Sequence, residues 1–337
     1  MSGLSATILG CEGPRLSPDE ARFFAEAQPW GFILFARNIE DPTQLLALTS
    51  DLRAAVGRDA PILIDQEGGR VQRMRAPYWR QWRPALEQMA QAGPARAARA
   101  MYLRARLIAH ELREMGIDVN CMPLADVARE TTHPVLLNRL YGTEPDTVIG
   151  AGRAVAQGLV AGGVLPVLKH LPGYGLGEVD SHLSLPRVSA TLEELMQVDF
   201  AAFKPLADLP LGMTAHIVYE AIDPDLPATF SRDLIGMIRS EIGFDGALMT
   251  DDLSMGALPG PIGERAARAC AAGCDLILHC DGDRAEMALV LADTGALSGA
   301  ALARCERALT QRAHPAPLDI AAAEADLADL LDGEVYG

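Results

Sequence analysis

Eight apolar runs punctuate the chain, each closed by turn residues. They are SATILGC (5–11), GFILFARN (31–38), PILIDQEGG (61–69), IDVNCMPLADV (117–127), VLPVLKHLPG (164–173), LGMTAHIVYE (211–220), FDGALMTDDL (244–253) and CDLILHCDG (274–282). Several are continuous rather than alternating, which predicts parallel strands covered on both faces, where no side needs to be polar. Between them lie Ala- and Leu-rich segments with helical spacing, such as DPTQLLALTSDLRAAVG, ARAARAMYLRARLIAHELREMG and TLEELMQVDFAAFKPLAD. Ser17 before Pro18, Asp41 before Pro42, and Thr191 ahead of Glu193 and Glu194 supply N-cap oxygens and so predict helix starts. A strand and a helix alternating eight times predict an α/β fold of the closed (β/α)8 TIM type, in a single domain over residues 1–337. Residues 315–337 read as an acidic helical tail on the barrel exterior. An open doubly wound sheet is the alternative, but more often shows a Gly-rich phosphate fingerprint after its first strand, and Gly10 to Gly13 is too sparse for one.

Polar positions add a second pattern. The C-terminal ends of the runs carry Glu12, Asn38, Asp65 with Glu67, Asp126, Lys169 with His170, His216, Asp251 with Asp252, and His279 with Asp281. Their N-terminal ends begin with Ser5, Gly31, Pro61, Ile117, Val164, Leu211, Phe244 and Cys274. If charges merely marked the entry to loops, both ends would carry them. The asymmetry predicts an active face at the C-terminal end of a barrel.

Net charge is −16, which excludes nucleic acid and an anionic membrane as main partners. One local exception is RVQRMRAPYWRQWRP (Arg70 to Pro84), where arginines interleave with Tyr78, Trp79 and Trp82 in a pattern suited to stacking on bases or sugars. It lies on the longest connection, between the third and fourth runs, and is expected to cover the barrel mouth. The N-terminus lacks the basic-then-apolar pattern of a signal peptide, and no run is long enough for a membrane span. Six scattered cysteines with no CxxC pair read as reduced thiols, so a cytoplasmic protein is expected, acting as a monomer.

Three chemistries suit such a face. His170, His216, His279 and Asp251 sit at separate strand ends, as in barrel metal sites, but no close-spaced ligand pair accompanies them; no metal and no cofactor are expected. LPGYGLG (171–177) resembles a phosphate loop only loosely, since DSHLSLP stands where the helix should follow; its glycines suit a mobile loop better. Glycoside hydrolysis needs a carboxylate and a proton donor flanking the scissile bond. Asp251 is a natural nucleophile at the end of a buried strand. Asp180 and His182 lie two apart, on one side of an extended backbone, so the carboxylate can orient the imidazole as acid and then base. Adjacent carboxylates point to opposite sides of a strand, so only one of Asp251 and Asp252 is expected to face the mouth.

Lys169-His170-Leu-Pro-Gly-Tyr-Gly followed by Asp180-Ser181-His182 resembles a signature of family 3 glycoside hydrolases, in particular its bacterial β-N-acetylglucosaminidase (β-hexosaminidase) branch. Ile64 to Arg73 (IDQEGGRVQR) and Met249 to Met255 (MTDDLSM) are similar to two further blocks of that branch. The resemblance implies a retaining exo-glycosidase that removes terminal β-linked N-acetylglucosamine. It assigns Asp251 as nucleophile and His182, oriented by Asp180, as acid/base. It assigns Asp65, Arg73, Arg139, Lys169 and His170 to the sugar. The implied partner is a small-molecule saccharide, GlcNAc-anhydroMurNAc and its peptide forms, released in peptidoglycan recycling. Relatives with a second domain draw a carboxylic acid/base from it; here the proton donor is expected from the barrel itself. Leu171 replaces a usual Phe and Tyr174 a common His. Arg139 lies in Leu-Asn-Arg rather than a Gly-containing setting, and Glu144-Pro145 replaces Asp-Pro. These departures bear on substrate detail rather than on reaction type. A phosphorylase or β-glucosidase of the same family, and a non-catalytic muropeptide-binding sensor, are the alternatives.

Overall fold

The computed structural model describes residues 3–179 and 184–337. Eight parallel strands form one sheet: β1 (Ser5–Gly10), β2 (Pro29–Leu34), β3 (Ile62–Ile64), β4 (Val119–Asn120), β5 (Leu165–Leu171), β6 (Leu211–Thr214), β7 (Ala247–Met249) and β8 (Ile277–His279). Neighbours in sequence are neighbours in space from β1 to β7, and β8 pairs back onto β1. The ring is closed between β7 and β8 by a parallel bridge, Met249 to Leu276, and by the Thr250 amide donating to the Leu276 carbonyl at 3.0 Å. The fold is the expected (β/α)8 barrel.

The eight helices that follow the strands are α1 (Pro18–Ala27), α2 (Pro42–Val56), α3 (Ala85–Glu114), α4 (Pro145–Ala161), α5 (Leu192–Gln197), α6 (Arg232–Ser240), α7 (Ile262–Ala272) and α8 (Arg284–Thr294). Two more, α9 (Gly299–Leu309) and α10 (Ile320–Leu330), come after. The N-cap oxygens read from sequence are in place: Ser17 accepts from the Glu20 amide at 3.2 Å and Asp41 from the Gln44 amide at 2.9 Å. Thr191 and Glu194 form a reciprocal capping box.

The unbroken apolar runs divide by alternation into two cores. Ile8, Ile33, Leu63, Val167, Met213, Met249 and Leu278 point into the barrel. Leu9, Phe32, Leu34, Ile62, Ile64 and Leu168 point outward against the helices. Asp65, Lys169 and Asp251 share the inward parity, which carries them to the mouth.

Several strands are shorter than their apolar runs. The run 61–69 does not continue as one strand. It ends at Ile64 and turns into an antiparallel hairpin pairing Gln66–Gly68 with Val71–Gln72. Gly68 (φ 110°) and Gly69 (φ 58°) make the reversal, in a backbone region that side-chain-bearing residues avoid. The Gln66 side chain holds the return, its Oε1 accepting from the Arg73 and Met74 amides at 2.9 and 3.0 Å. A second short pairing, Arg187–Val188 with Val218–Tyr219, lies outside the barrel.

Residues 70–84 are not an exposed stacking patch. Trp82 is 1% exposed and Trp79 8%, leaving only Tyr78 open at 56%. Trp82 packs edge-on against Tyr336 at 5.3 Å, and the Gly337 amide donates to the Gln81 carbonyl at 3.0 Å. Helix α10 lies on the barrel exterior against α3, burying Ala323 and Leu327. Glu324 pairs with Arg80 at 2.8 Å, and Asp332 with Arg96 at 3.1 Å. Helix α3 begins a few turns earlier than its sequence pattern and kinks at Gly93, ahead of Pro94, whose ring excludes helical backbone from the preceding residue. All six cysteines are free thiols, five of them buried. Among the described residues, no helix is long and apolar enough to cross a membrane.

Candidate active site

A cleft of about 870 Å³, open to solvent, lies at the C-terminal mouth of the barrel. It is lined by Asp65, Arg73, Arg139, Lys169, His170 and Asp251, with Asp252 beside Asp251, and flanked by Phe35, Tyr174, Met213 and Met255. These six are all the site residues expected from sequence within the described region. Asp180 and His182 lie outside the described residues.

One wall is a chain of alternating charges. Arg73 donates to Asp65 Oδ2 at 3.0 Å, and Lys169 Nζ reaches Asp65 Oδ1 at 3.0 Å and Glu67 Oε1 at 2.7 Å. Arg139 grips Glu67 with two parallel bonds, Nε to Oε2 at 2.9 Å and an Nη to Oε1 at 2.8 Å. Three segments supply it: the end of β3 with its hairpin, strand β5, and the loop before α4. Burial alone pushes the Asp65 carboxyl up, but Lys169 and Arg73 outweigh it and hold it well below the usual carboxylate range. Glu67 behaves alike: burial opposes its ionisation, and Arg139 and Lys169 bring it down to about 2. Burial works against the Lys169 ammonium, yet Asp65 and Glu67 hold it above the ordinary lysine value. All of these groups are therefore charged at neutral pH. The Arg73 guanidinium also lies 5.0 Å over the Phe35 ring, which fixes its plane.

Next to this wall, His170 Nδ1 sits 2.7 Å from Asp126 Oδ2. An ionised carboxylate only accepts, so Nδ1 carries the proton and Nε2 is left for the cleft chemistry. Asp126, fully buried, also accepts from the Tyr174 amide at 2.7 Å. Its role is thus to orient His170 and the start of the Gly-rich segment. That segment is tied down up to Val179. The Gly173 carbonyl accepts from the Tyr219 hydroxyl, the Gly175 carbonyl from Thr132 Oγ1 at 2.5 Å, and the Gly177 carbonyl from the His133 amide at 3.0 Å. The Tyr174 hydroxyl donates to the Val179 carbonyl at 3.1 Å. A Cβ on Gly175 would stand 1.9 Å from the Val127 carbonyl oxygen, so this close approach requires glycine.

At the end of β7 the two neighbouring carboxylates have different surroundings. Asp252 accepts from the Ser254 amide at 3.0 Å, the Ser254 hydroxyl at 2.5 Å and the Cys280 amide at 3.1 Å, all from the loops around it. Burial still pushes its carboxyl up. Asp251 accepts from the Asp252 amide at 2.8 Å. Burial opposes its charge, but the His216 and His170 imidazoles and that amide hold it below its ordinary value. Both carboxylates line the cleft, against the expectation that only one would face it; Asp251 is the one held ionised with a single backbone donor, whereas Asp252 is engaged by Ser254 and Cys280.

His216 braces this turn from behind. Its Nε2 lies 2.9 Å from the Asp252 carbonyl, which can only accept, so Nε2 carries the proton. Its Nδ1 then accepts from Thr229 Oγ1 at 2.7 Å, and Thr229 accepts from Thr214 Oγ1 at 2.8 Å. Burial lowers the His216 pKa, in keeping with a neutral ring.

Other strand-end residues play no part in the cleft. His279 has the outward parity and pairs with Glu286 of α8 at 3.0 Å. Asn38 spends its side chain on the Cys11 and Gly13 carbonyls and the Phe35 amide. Glu12 and Asp281 lie on a separate surface hollow. Of the other strand-end groups, Glu67 pairs with Lys169 and Arg139, Asp126 with His170, and His216 with the Asp252 carbonyl. The Asp65-x-Glu67 spacing, which sets both carboxylates on one side of an extended backbone, was the available signal for the first. Among the described residues, no group of three or more His, Cys, Asp or Glu is placed to hold a metal ion.

The model of the glycosyl hydrolase family 3 N-terminal domain matches residues 10–310. A β-hexosaminidase of Alkalilimnicola ehrlichii is 39% identical over 284 residues, covering 82% of this chain and 81% of that one. Native NagZ of Neisseria gonorrhoeae superimposes with a TM-score of 0.85 at 31% identity, covering 98% of each chain. That enzyme has also been solved in complex with N-trifluoroacetyl-D-glucosamine. A family 3 β-N-acetylglucosaminidase of Paenibacillus sp. str. FPU-7 superimposes with a TM-score of 0.79 at 30% identity, covering 98% of this chain; this chain spans 62% of that longer one.

Proposed function

This chain belongs to glycosyl hydrolase family 3 and is a β-N-acetylglucosaminidase, and from that premise we propose that it removes terminal β-linked N-acetylglucosamine from peptidoglycan-derived fragments, with retention, through a covalent intermediate on Asp251. The observation that carries the assignment is the contrast at the end of β7, where both carboxylates line the cleft but Asp251 is held ionised with one backbone donor while Asp252 is engaged by Ser254 and Cys280.

In this reading the sugar lies against the charged wall. The Asp65 carboxylate accepts from ring hydroxyls; Lys169, Arg73 and Arg139 donate to hydroxyl or acetamide oxygens, and His170 adds an imidazole nitrogen. Bonds to ionised groups in a cleft partly shielded from water are shorter and stronger than their counterparts in bulk solvent. A rigid strand delivers Asp251 to C1. Its oxygen forms the C1–O bond as the leaving oxygen departs with a proton from His182, which Asp180 orients. Water, deprotonated by His182, then displaces Asp251 and restores the starting configuration. Six unpaired thiols suit a reducing compartment, the cytoplasm.

A His182→Ala variant given an activated aryl N-acetylglucosaminide, whose leaving group needs no proton, is expected to accumulate a glycosyl adduct on Asp251, seen by peptide mass spectrometry. An adduct on Asp252, or turnover with no adduct, sinks the assignment. Running the wild-type reaction in phosphate buffer and resolving free sugar from sugar 1-phosphate separates hydrolysis from phosphorolysis; sugar 1-phosphate as main product refutes the hydrolase.

A further inference from the structure

We infer that Glu67 is a positioning residue that sets the direction of the sugar-binding cations Lys169 and Arg139 from behind the cleft wall. The inference rests on the reading above, in which those two cations contact the sugar. Glu67 is only 4% exposed and is not among the residues that line the cleft, whereas Lys169 and Arg139 both do. Its carboxylate is wholly engaged: Oε1 accepts from Lys169 at 2.7 Å and from Arg139 at 2.8 Å, and Oε2 accepts from Arg139 Nε at 2.9 Å. It cannot itself reach a ligand without releasing one of them.

Two cations meeting on one carboxylate oxygen lie close enough to repel each other, and Arg139 indeed works against the Lys169 charge. Glu67 offsets that repulsion and fixes geometry. The two parallel bonds lock the Arg139 guanidinium plane. Asp65 and Glu67 together fix the rotation of the Lys169 ammonium, so that of its three N–H bonds the third has a set direction. The backbone holds Glu67 just as firmly. Its carbonyl accepts from the buried Arg104 at 2.5 Å, and Gly68 beside it leaves room for that guanidinium, since a Cβ there would lie 1.9 Å from an Arg104 nitrogen. The carboxylate is thus a fixed point to which two mobile side chains are referred.

The test compares wild type, Glu67→Gln, Arg139→Gln and the double variant. Readouts are N-acetylglucosamine affinity by calorimetry, kcat and KM on an aryl N-acetylglucosaminide, and the melting temperature. Glu67→Gln is expected to weaken N-acetylglucosamine binding by about 10- to 100-fold, the range for hydrogen bonds to charged groups, with most of the loss in KM. Arg139→Gln is expected to cost far less in the Glu67→Gln background than in wild type, because both act on the same contact. A purely structural role predicts independent effects instead. Wild-type affinity in folded Glu67→Gln, or losses that multiply independently, overturns the inference. Where Glu67→Gln does not fold, Glu67→Asp decides: it keeps the charge but withdraws the carboxylate by roughly 1.5 Å, so unchanged affinity in that variant also overturns it. Wild-type protein that neither binds nor hydrolyses N-acetylglucosaminides refutes the parent reading and this inference together, whereas a binding wild type with an unaffected Glu67 variant refutes this inference alone.

Discussion

Replacing Lys169 with methionine keeps most of the buried stem and removes the charge between Asp65 and Glu67. Those carboxylates lie 3.0 and 2.7 Å from its ammonium, and the lysine side chain is 2% exposed. Removing one partner of such a buried pair costs about 3–5 kcal/mol. The carboxylates give an independent estimate: the fall of Glu67 from 4.5 to about 2 is worth about 3 kcal/mol of native stability, shared between Arg139 and Lys169. For a chain of 337 residues, this corresponds to a drop in Tm of about 4–7 °C. The pH dependence follows from the sign of the shifts. Asp65 and Glu67 are held below their unfolded values, so their stabilisation is complete above the unfolded carboxylate range and is lost as pH falls toward the folded values. Lys169→Met raises both folded values. The gap between wild type and variant is therefore widest near neutrality and closes as the solution is acidified below about pH 4. Thermal melts of both proteins from pH 8 down to pH 2, extended by urea titrations where the acid form aggregates, measure it. A gap that stays constant, or that widens toward acid, refutes the account of the wall as a set of ionised partners.

Further predictions concern the groups around this wall. Gly175→Ala sets a methyl against the Val127 carbonyl in a buried, hydrogen-bonded segment; kcat is expected to fall by at least about 10-fold and Tm to fall with it, because the clash is with backbone on one side and bonded chain on the other. His216→Ala removes the donor to the Asp252 carbonyl and is expected to lower kcat by about 10-fold with KM nearly unchanged, since Asp251 acts at the bond-breaking step. Equal losses in both constants on an aryl N-acetylglucosaminide assay contradict that role. Asp199 is pushed by burial up to about 6 despite its Arg129 partner, so its ionisation opposes folding as pH rises from the unfolded aspartate range toward neutrality. Asp199→Asn is therefore expected to gain stability relative to wild type between pH 5 and pH 7, read as the difference in urea midpoint.

The barrel was legible because its strands need no polar face. An unbroken run such as 31–38 announces burial on both sides, and eight such runs leave few architectures. Run lengths misled where a strand handed over to a loop that is itself buried. The stretch 61–69 looks uniform, yet Gly68 and Gly69 reverse it within a few residues, and both halves of the hairpin remain buried. The Arg/Trp segment misled for a different reason. Trp82 is covered by Tyr336 and Arg80 pairs with Glu324 of helix α10, residues too far along the chain for local pattern to associate with it. Within the site, strand-end position identified Asp65, Lys169, His170 and Asp251, because position along a strand is a local property. The pairing of Lys169 with two carboxylates more than a hundred residues away is not local, nor is the division of labour between Asp251 and Asp252. That division depends in part on the Cys280 amide, just past strand β8.

The seal between Trp82 and Tyr336 has a bearing on how the protein matures. The segment that carries Arg73 is covered by residues that lie far down the chain: Arg80 and Tyr336, 256 positions apart, share a hydrogen bond at 3.1 Å. Strands β1 to β4 and their hairpin can pair while the chain is still being made, since their partners are nearby in sequence. The outer support of the sugar-binding wall waits until residue 336 has left the ribosome. A nascent chain whose barrel has just closed therefore still lacks the Tyr336 contacts on Arg80 and Trp82.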